Sequence, residues 1–328
     1  MDRKQALRRL VQNQGLGLEI GPSHAPVFAR ADGFDVETLD HADADTLRQK
    51  YALMGVDTSE IEDVTYVSDG RPLHEIITRR GEYDYIFSSH VIEHVTDIVS
   101  YFQSCELLLK PTGIAALAIP DKRYTFDFMQ PYSTTGQALE AHHLLSGRHS
   151  PAAVFDFNVN TCVLGQSGVW TKFDQGAFSF VNTPQIAKTQ FDQSITPNCP
   201  YQDVHGWYFT PNSFRLLMHD LKEIGLTDLR EIYMMEHGSL EFHVAYSRDH
   251  AGNGLTRLEI QSNVIAEQVL AGLQALAPNS PKFANLFQQS MAYGTDPSQD
   301  AEPVLPEPAH VTAPKARSLL RKVLSQVF

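Results

Sequence analysis

Apolar and polar positions follow a repeating rhythm along the first third of the chain. Gly17-Leu18-Glu19-Ile20-Gly21 reads as a buried strand running into a glycine turn, and Phe34 to Asp40 alternates and ends on an acid, as a second strand would. Thr46 to Leu53 is helical, Asp63 to Val67 is a short β-rich run, and Leu73 to Thr78 is a short helix. Tyr83 to Ser88 is another apolar strand. From Asp97 to Leu109 the residues Ile98, Phe102, Cys105, Leu108 and Leu109 share one helical face, which Lys110-Pro111-Thr112-Gly113 stops. Gly113 to Ile119 is continuously apolar, the pattern of a strand buried on both faces. Strands alternating with helices at this spacing predict a doubly wound, mostly parallel α/β sheet.

Residues 121–209 break that rhythm: they are rich in His, Phe, Gln, Asn and Thr, with weak periodicity. Regularity returns with a helix over 211–224, Thr210 standing as its N-cap. Leu229 to Met235 and Ser239 to Ser247 flank a Glu236-His237-Gly238 turn and predict a β-hairpin, so the parallel core finishes on an antiparallel strand. Leu258 to Leu276 is an amphipathic helix with Ile260, Val264, Ile265, Val269, Leu270 and Leu273 on one side. The chain thus divides into an N-terminal basic helix (1–14), an α/β domain (15–250) with an insertion at 121–209, and a helical extension (251–294). A proline-rich linker (295–314) and a basic amphipathic tail (315–328) complete it. The tail suits docking on its own fold or a subunit, or a peripheral contact with a membrane surface.

Charge narrows the field. With 26 Lys+Arg against 39 Asp+Glu the net charge is −13, which disfavours nucleic acid as a partner. No apolar window of about 18 residues occurs, so no transmembrane helix is expected. The opening MDRKQALRRL lacks the apolar region of a secretory signal. Cys105, Cys162 and Cys199 form no CxxC, which fits a reducing, cytoplasmic setting.

The chemistry begins at Glu19-x-Gly21, with Asp40 nineteen residues beyond the glycine. In an α/β fold this sets a turn glycine at the end of the first strand and a ribose-binding carboxylate at the end of the second. Asp69, at the end of the third β run, could accept from an adenine amino group. The loop Gly21-Pro22-Ser23-His24-Ala25-Pro26 keeps only the first glycine of a dinucleotide fingerprint, so a pyrophosphate cradle is poorly supported. An adenosine ligand without phosphates needs no such cradle.

Taken with LEIGPSHAPVF (18–28), VETLDHAD (36–43), YDYIFSSHVIEHVTD (83–97), LLLKPTGIAALAIPDKRYTFD (107–127) and DVHGWYFTPNSF (203–214), these residues resemble a class I S-adenosylmethionine-dependent methyltransferase. The likeness is greatest to a bacterial group associated with polysaccharide biosynthesis, and it spans roughly residues 15–250. It implies a Rossmann-like seven-stranded sheet with the last strand antiparallel, and S-adenosyl-L-methionine as cofactor. It implies cofactor contacts at Glu19, Gly21, Asp40, Asp69, Ser89 and His90. Ser23 and Ala25 replace the later glycines of the general motif, and Pro22 stiffens the turn.

A sugar or glycan-precursor hydroxyl is the expected acceptor, and a histidine the expected base near neutral pH. His90, His94 and His205 are the candidates, with His142 and His143 behind them. His90, Glu93 and His94 lie where ubiquinone-pathway O-methyltransferases, which this segment resembles, carry an acidic-acidic-His ion site. The charge differs here, and no metal is assigned. Asp121, Lys122, Arg123 and Tyr124, directly after the fifth strand, and Trp207 are expected to bind the acceptor, the cations through a carboxylate or phosphate. Two other classes stay open: a NAD-dependent sugar-modifying oxidoreductase and a noncatalytic interaction module. The oligomeric state is not indicated.

Overall fold

Strand β1 (Gly17–Ile20) is buried along its whole length and is third in the seven-stranded sheet. The computed structural model describes residues 2–11, 15–144, 147–197, 199–277 and 280–294; the linker and basic tail expected at 295–328 lie outside them. To one side of β1 come β2 (Val36–Asp40) and β3 (Tyr66–Val67). To the other come β4 (Tyr83–Ser89) and β5 (Leu109–Pro120), and then the hairpin strands β9 (Glu241–Ser247) and β8 (Arg230–Glu236). The order is β3-β2-β1-β4-β5-β9-β8, and β9 runs antiparallel to both neighbours. This is the Rossmann-like methyltransferase sheet expected from the sequence.

The apolar run of β5 is sorted by strand alternation. Ala115, Leu117 and Ile119 join Leu18, Ile86, Phe242 and Val244 on one face. That face packs on α4 (Ile98–Leu108) and α8 (Pro211–Glu223) through Phe102, Phe214 and Leu217. Ile114, Ala116 and Ala118 join Tyr85 and Phe87 on the other face, under Leu7 of α1 (Arg3–Arg8) and Phe28. Two covered faces explain why the sequence there shows no polar positions.

Several elements differ from expectation. β3 keeps only Tyr66–Val67 of the predicted run. Lys110-Pro111-Thr112 does not end in a loop but lies within β5, at its partly exposed start. The N-terminal helix is six residues long. The insertion holds α5 (Thr135–Leu144), α6 (Pro151–Asn160), the β6–β7 pair (Cys162–Leu164, Phe178–Phe180) and α7 (Pro184–Ser194). Each of these helices buries only one or two residues, among them Ala138, Val154 and Ala187, so none writes an apolar stripe.

Helix α9 (Arg257–Leu276) docks on α8, burying Ile260, Val264 and Leu273 while Ile265 stays exposed. α10 (Pro281–Gly294) packs Leu286 and Phe287 against Leu273. The α8–α9 joint turns on Glu267, whose carboxyl accepts from Thr210 Oγ1 at 2.5 Å and Asn212 Nδ2 at 2.7 Å. Burial pushes its pKa up to about 7 against the pull of Arg123. A carboxyl raised above its ordinary value favours folding at low pH, and that contribution is lost as pH rises from about 4.5 to about 7. Glu267→Gln removes the titration. Relative to that variant, the natural chain is expected to lose about 3 kcal/mol across this window. Urea unfolding of both chains at pH 4.5 and 7.5 measures it; a constant difference would refute it.

Candidate active site

The strand order reverses between β1 and β4, and the crevice beyond their carboxyl ends is where open α/β sheets place ligands. Register fixes what lies there. Ile20 pairs with Leu39 and with Ser88, and Asp40 with Val67, so Gly21, Asp40 and Ser89 end in one row. Gly21 has φ +69°, and a Cβ on it would stand 2.7 Å from Val91 Cγ2. Glycine is therefore required both for the turn and for the close approach of the segment after β4.

The loop that follows is closed upon itself. Gly21 N donates to Leu39 O, Ser23 N to Asp40 Oδ2 and Ala25 N to Pro22 O. Val27 N and Phe28 N both donate to the Glu19 carboxylate, at 2.8 and 2.9 Å. Glu19, expected at the cofactor, thus braces the loop from beneath; burial raises its pKa to about 7 against those two bonds. With these amides engaged, and Pro22 and Pro26 lacking an N–H, the loop offers no phosphate cradle.

Asp40 is buried at the end of β2; its Oδ2 accepts from Ser23 N at 2.8 Å, and its Oδ1 accepts from His41 N at 2.7 Å and from His41 Nδ1 at 2.6 Å. A carboxylate oxygen has two lone pairs, so Oδ2 keeps a site for a ribose hydroxyl. Asp69 is exposed beyond β3, where Arg71 occupies it through Nε at 2.9 Å, so the adenine role expected of it has a competitor. Ser89 Oγ accepts from Arg3 at 2.7 Å, which sets α1 across the end of β4. The fit to S-adenosylmethionine rests on the Gly21 turn, the Asp40 carboxylate and the Ser89–His90 strand end.

His90 has φ +53°, a strained value for a residue with a side chain. Its Nε2 donates to Glu241 Oε2 at 2.8 Å, and its Nδ1 lies 3.5 Å from Glu93 Oε1. Burial works against its charge, but Glu241 and Glu93 prevail and raise its pKa to about 9. His90 is therefore an imidazolium at neutral pH, which removes it from the candidate bases.

His94 and His205 face each other instead, ring centroids 4.7 Å apart and nearly perpendicular. Gly206 N donates to Glu93 O, which ties the strand-like segment carrying His205 to the 3-10 turn Ile92–His94. Tyr201 Oη, from the segment that leads to His205, donates to His94 O at 3.0 Å, and His149 Nε2, from just before α6, lies 3.1 Å from the same oxygen. His205 Nδ1 donates to Asp127 Oδ2 at 2.6 Å. Burial lowers the His205 pKa, and Asp127 with Glu93 more than restores it, so it stands above the ordinary value. An imidazole held at Nδ1 by a carboxylate presents Nε2 as its working nitrogen, an arrangement suited to taking a proton. Asp127, Glu241 and Arg3 are not evident as site residues from the sequence. Glu241 alone carried a signal: an antiparallel last strand begins at the end of the sheet where the parallel strands finish.

The residues expected to hold the acceptor are structural. Arg123 is buried in ion pairs with Asp121 at 2.5 Å and Glu236 at 2.9 Å, with Glu267 3.9 Å away. Asp121 also caps the turn Lys122–Tyr124 by accepting from Arg123 N. Lys122 donates to Phe128 O, and burial lowers its pKa to about 8. Tyr124 packs in the insertion core with Phe128, Cys162, Leu164 and Trp170. Trp207 belongs to the main core and donates Nε1 to Val95 O at 2.6 Å, which leaves no open stacking face. Charge after a strand suggested a ligand; burial with complete pairing replaces it with a brace.

The methyltransferase-domain family model matches residues 4–227, about two thirds of the chain. Among solved structures the fold is similar to a SAM-dependent methyltransferase from Aquifex aeolicus (TM-score 0.36, 11% identity, 75% of this chain and 88% of that one). It is also similar to an S-adenosylmethionine-dependent methyltransferase from Mesorhizobium loti (TM-score 0.40, 13% identity, 74% and 95%). No curated protein matches the chain. Among the described residues no helix is long and apolar enough to cross a membrane.

Proposed function

The chain belongs to the methyltransferase-domain family and uses S-adenosyl-L-methionine, and from that premise we propose that it O-methylates a hydroxyl of a sugar or glycan precursor. The observation that carries this reading is the Asp127–His205 pair, set beside Glu93 and His94 of the turn that follows β4. When bound, S-adenosylmethionine supplies a methyl group on a positively charged sulfur that departs as a neutral thioether. Asp40 and the Gly21 turn orient the donor, so that displacement at the methyl carbon is in line. His205, aligned by Asp127, takes the proton of the acceptor hydroxyl as the new C–O bond forms. The His90 imidazolium, fixed between Glu93 and Glu241, stays protonated and holds the end of β4 in place.

A sugar hydroxyl is favoured by the resemblance to the polysaccharide-associated group and by the polar, aromatic insertion over this end of the sheet. The closed Gly21–Phe28 loop disfavours the dinucleotide alternative. Methyl-labelled S-adenosylmethionine, offered with nucleotide sugars and lipid-linked saccharides, tests the reading. The expected product is a methyl ether on a sugar ring. Label on nitrogen or carbon, or on no saccharide in the set, would refute it.

A further inference from the structure

Glu93 is buried, and among the described residues neither of its carboxylate oxygens has a hydrogen-bond partner. His90 Nδ1, 3.5 Å from Oε1, makes a charge contact outside hydrogen-bond alignment. The His90 imidazolium gives Glu93 a charge that it shares with Glu241 but no aligned donor. A buried carboxylate whose oxygens are left unbonded is expensive, so those oxygens mark a place for a further electron-pair acceptor. Two imidazoles stand beside it. A donor atom from each of Glu93, His94 and His205 lies within 4.8 Å of the others, and His94 Nε2 is 4.0 Å from Glu93 Oε1.

Each ring has a carboxylate on its outer side. His205 Nδ1 donates to Asp127 Oδ2 at 2.6 Å, and His94 Nδ1 lies 2.9 Å from Asp203 Oδ1. The bond to Asp127 leaves His205 Nε2 as a lone-pair donor, and the Asp203 carboxylate beside His94 Nδ1, short of hydrogen-bond alignment, favours the same tautomer there. Carboxylates so placed are the outer arrangement that orients histidine ligands of metal ions. The adjacent trio His90, Glu93 and His94 is not equivalent, because His90 commits Nε2 to Glu241.

We propose that Glu93, His94 and His205 form a binding site for a first-row divalent transition metal ion. Two nitrogens and one carboxylate favour Zn²⁺, Co²⁺, Mn²⁺ or Fe²⁺ over Mg²⁺ and Ca²⁺, which prefer oxygen. Three protein ligands leave a coordination position open, as in catalytic rather than structural sites. A tetrahedral shell with bonds of about 2.0 Å sets donors roughly 3.3 Å apart, so the three donors, within 4.8 Å of one another, draw together around an ion. His94 is one third exposed and its partner Asp203 is exposed, which supplies both the movement and a path for the ion. This deepens the reading of the site above: an ion there withdraws charge from a coordinated hydroxyl, doing the work otherwise assigned to a free imidazole.

Ion binding is read without methyl transfer, so the two readings fail separately. The full chain, freed of metal by a chelator, is titrated with Zn²⁺ by calorimetry and with Co²⁺ by visible absorption. One equivalent is expected, with a Co²⁺ spectrum of low-symmetry, nitrogen-containing ligation. His94→Ala and His205→Ala are expected to weaken binding by at least about a hundredfold, and Asp127→Asn by roughly 10–100-fold. His142→Ala, whose ring pairs with Asp97 away from the cluster, is expected to bind as the natural chain does. His94 lies near the surface, so His94→Ala keeps the test valid if a buried variant unfolds. Absence of a stoichiometric ion, or equal binding by His94→Ala and the natural chain, would overturn the proposal.

Discussion

Asp40→Asn is expected to raise the KM for S-adenosylmethionine by about a hundredfold, close to 2.7 kcal/mol, with kcat at saturation little changed. The carboxylate is buried at the end of β2, so its charge is poorly screened and its bonds are strong. One ribose hydroxyl donating to Oδ2 accounts for the bulk of the effect at about 1.5–3 kcal/mol for a bond to a charged group. The variant also weakens the latch from Ser23 N, and so the turn that approaches the cofactor. Asparagine keeps the volume, which separates the lost charge from a cavity. Initial rates against cofactor concentration measure it. A KM change below about threefold would move the ribose away from Asp40.

His205→Gln is expected to lower kcat by about 10²–10⁴-fold while S-adenosylhomocysteine binds within about threefold of normal affinity. His205 lies 78 residues from Asp127 in sequence, yet the 2.6 Å bond fixes its ring, and Gly206 locks the segment to Glu93. Nothing in that arrangement touches Gly21 or Asp40, so the donor half of the site should survive. The loss is expected whether the ring takes the acceptor proton or holds an ion that acidifies the hydroxyl. Single-turnover rates with the methyl acceptor, set beside calorimetric cofactor affinity, separate the two halves. An unchanged kcat would remove His205 from the chemistry.

The parallel core was legible because its physics is local. A strand covered on both faces must be apolar throughout, and residues 113–119 are; the hairpin after Leu229 announced itself by its turn. The insertion was not legible, since α5, α6 and α7 each bury so few residues that no period emerges. At the site, strand ends suggested Gly21 and Asp40, the resemblance added Ser89 and His90, and the topology sets those ends side by side. Their partners were not legible. Glu241 meets His90 across 151 residues and Arg3 across 238, distances that no spacing argument bridges. Asp121 to Tyr124 misled for a related reason. Charge after a strand resembles a ligand site until Glu236 and Glu267, from remote elements, are seen surrounding Arg123. His94 and His205 were candidates from their neighbourhoods, but the buried Glu93 that unites them becomes evident only in three dimensions.

The central claim is that the β1–β4 crevice holds an adenosine donor without a pyrophosphate. Calorimetric titration of the full chain with S-adenosylhomocysteine and, separately, with NAD⁺ tests it most directly. One equivalent of S-adenosylhomocysteine is expected to bind with a Kd of roughly 1–100 μM, and NAD⁺ to show no saturable heat. Saturable NAD⁺ binding, or silence with both ligands, would contradict the account.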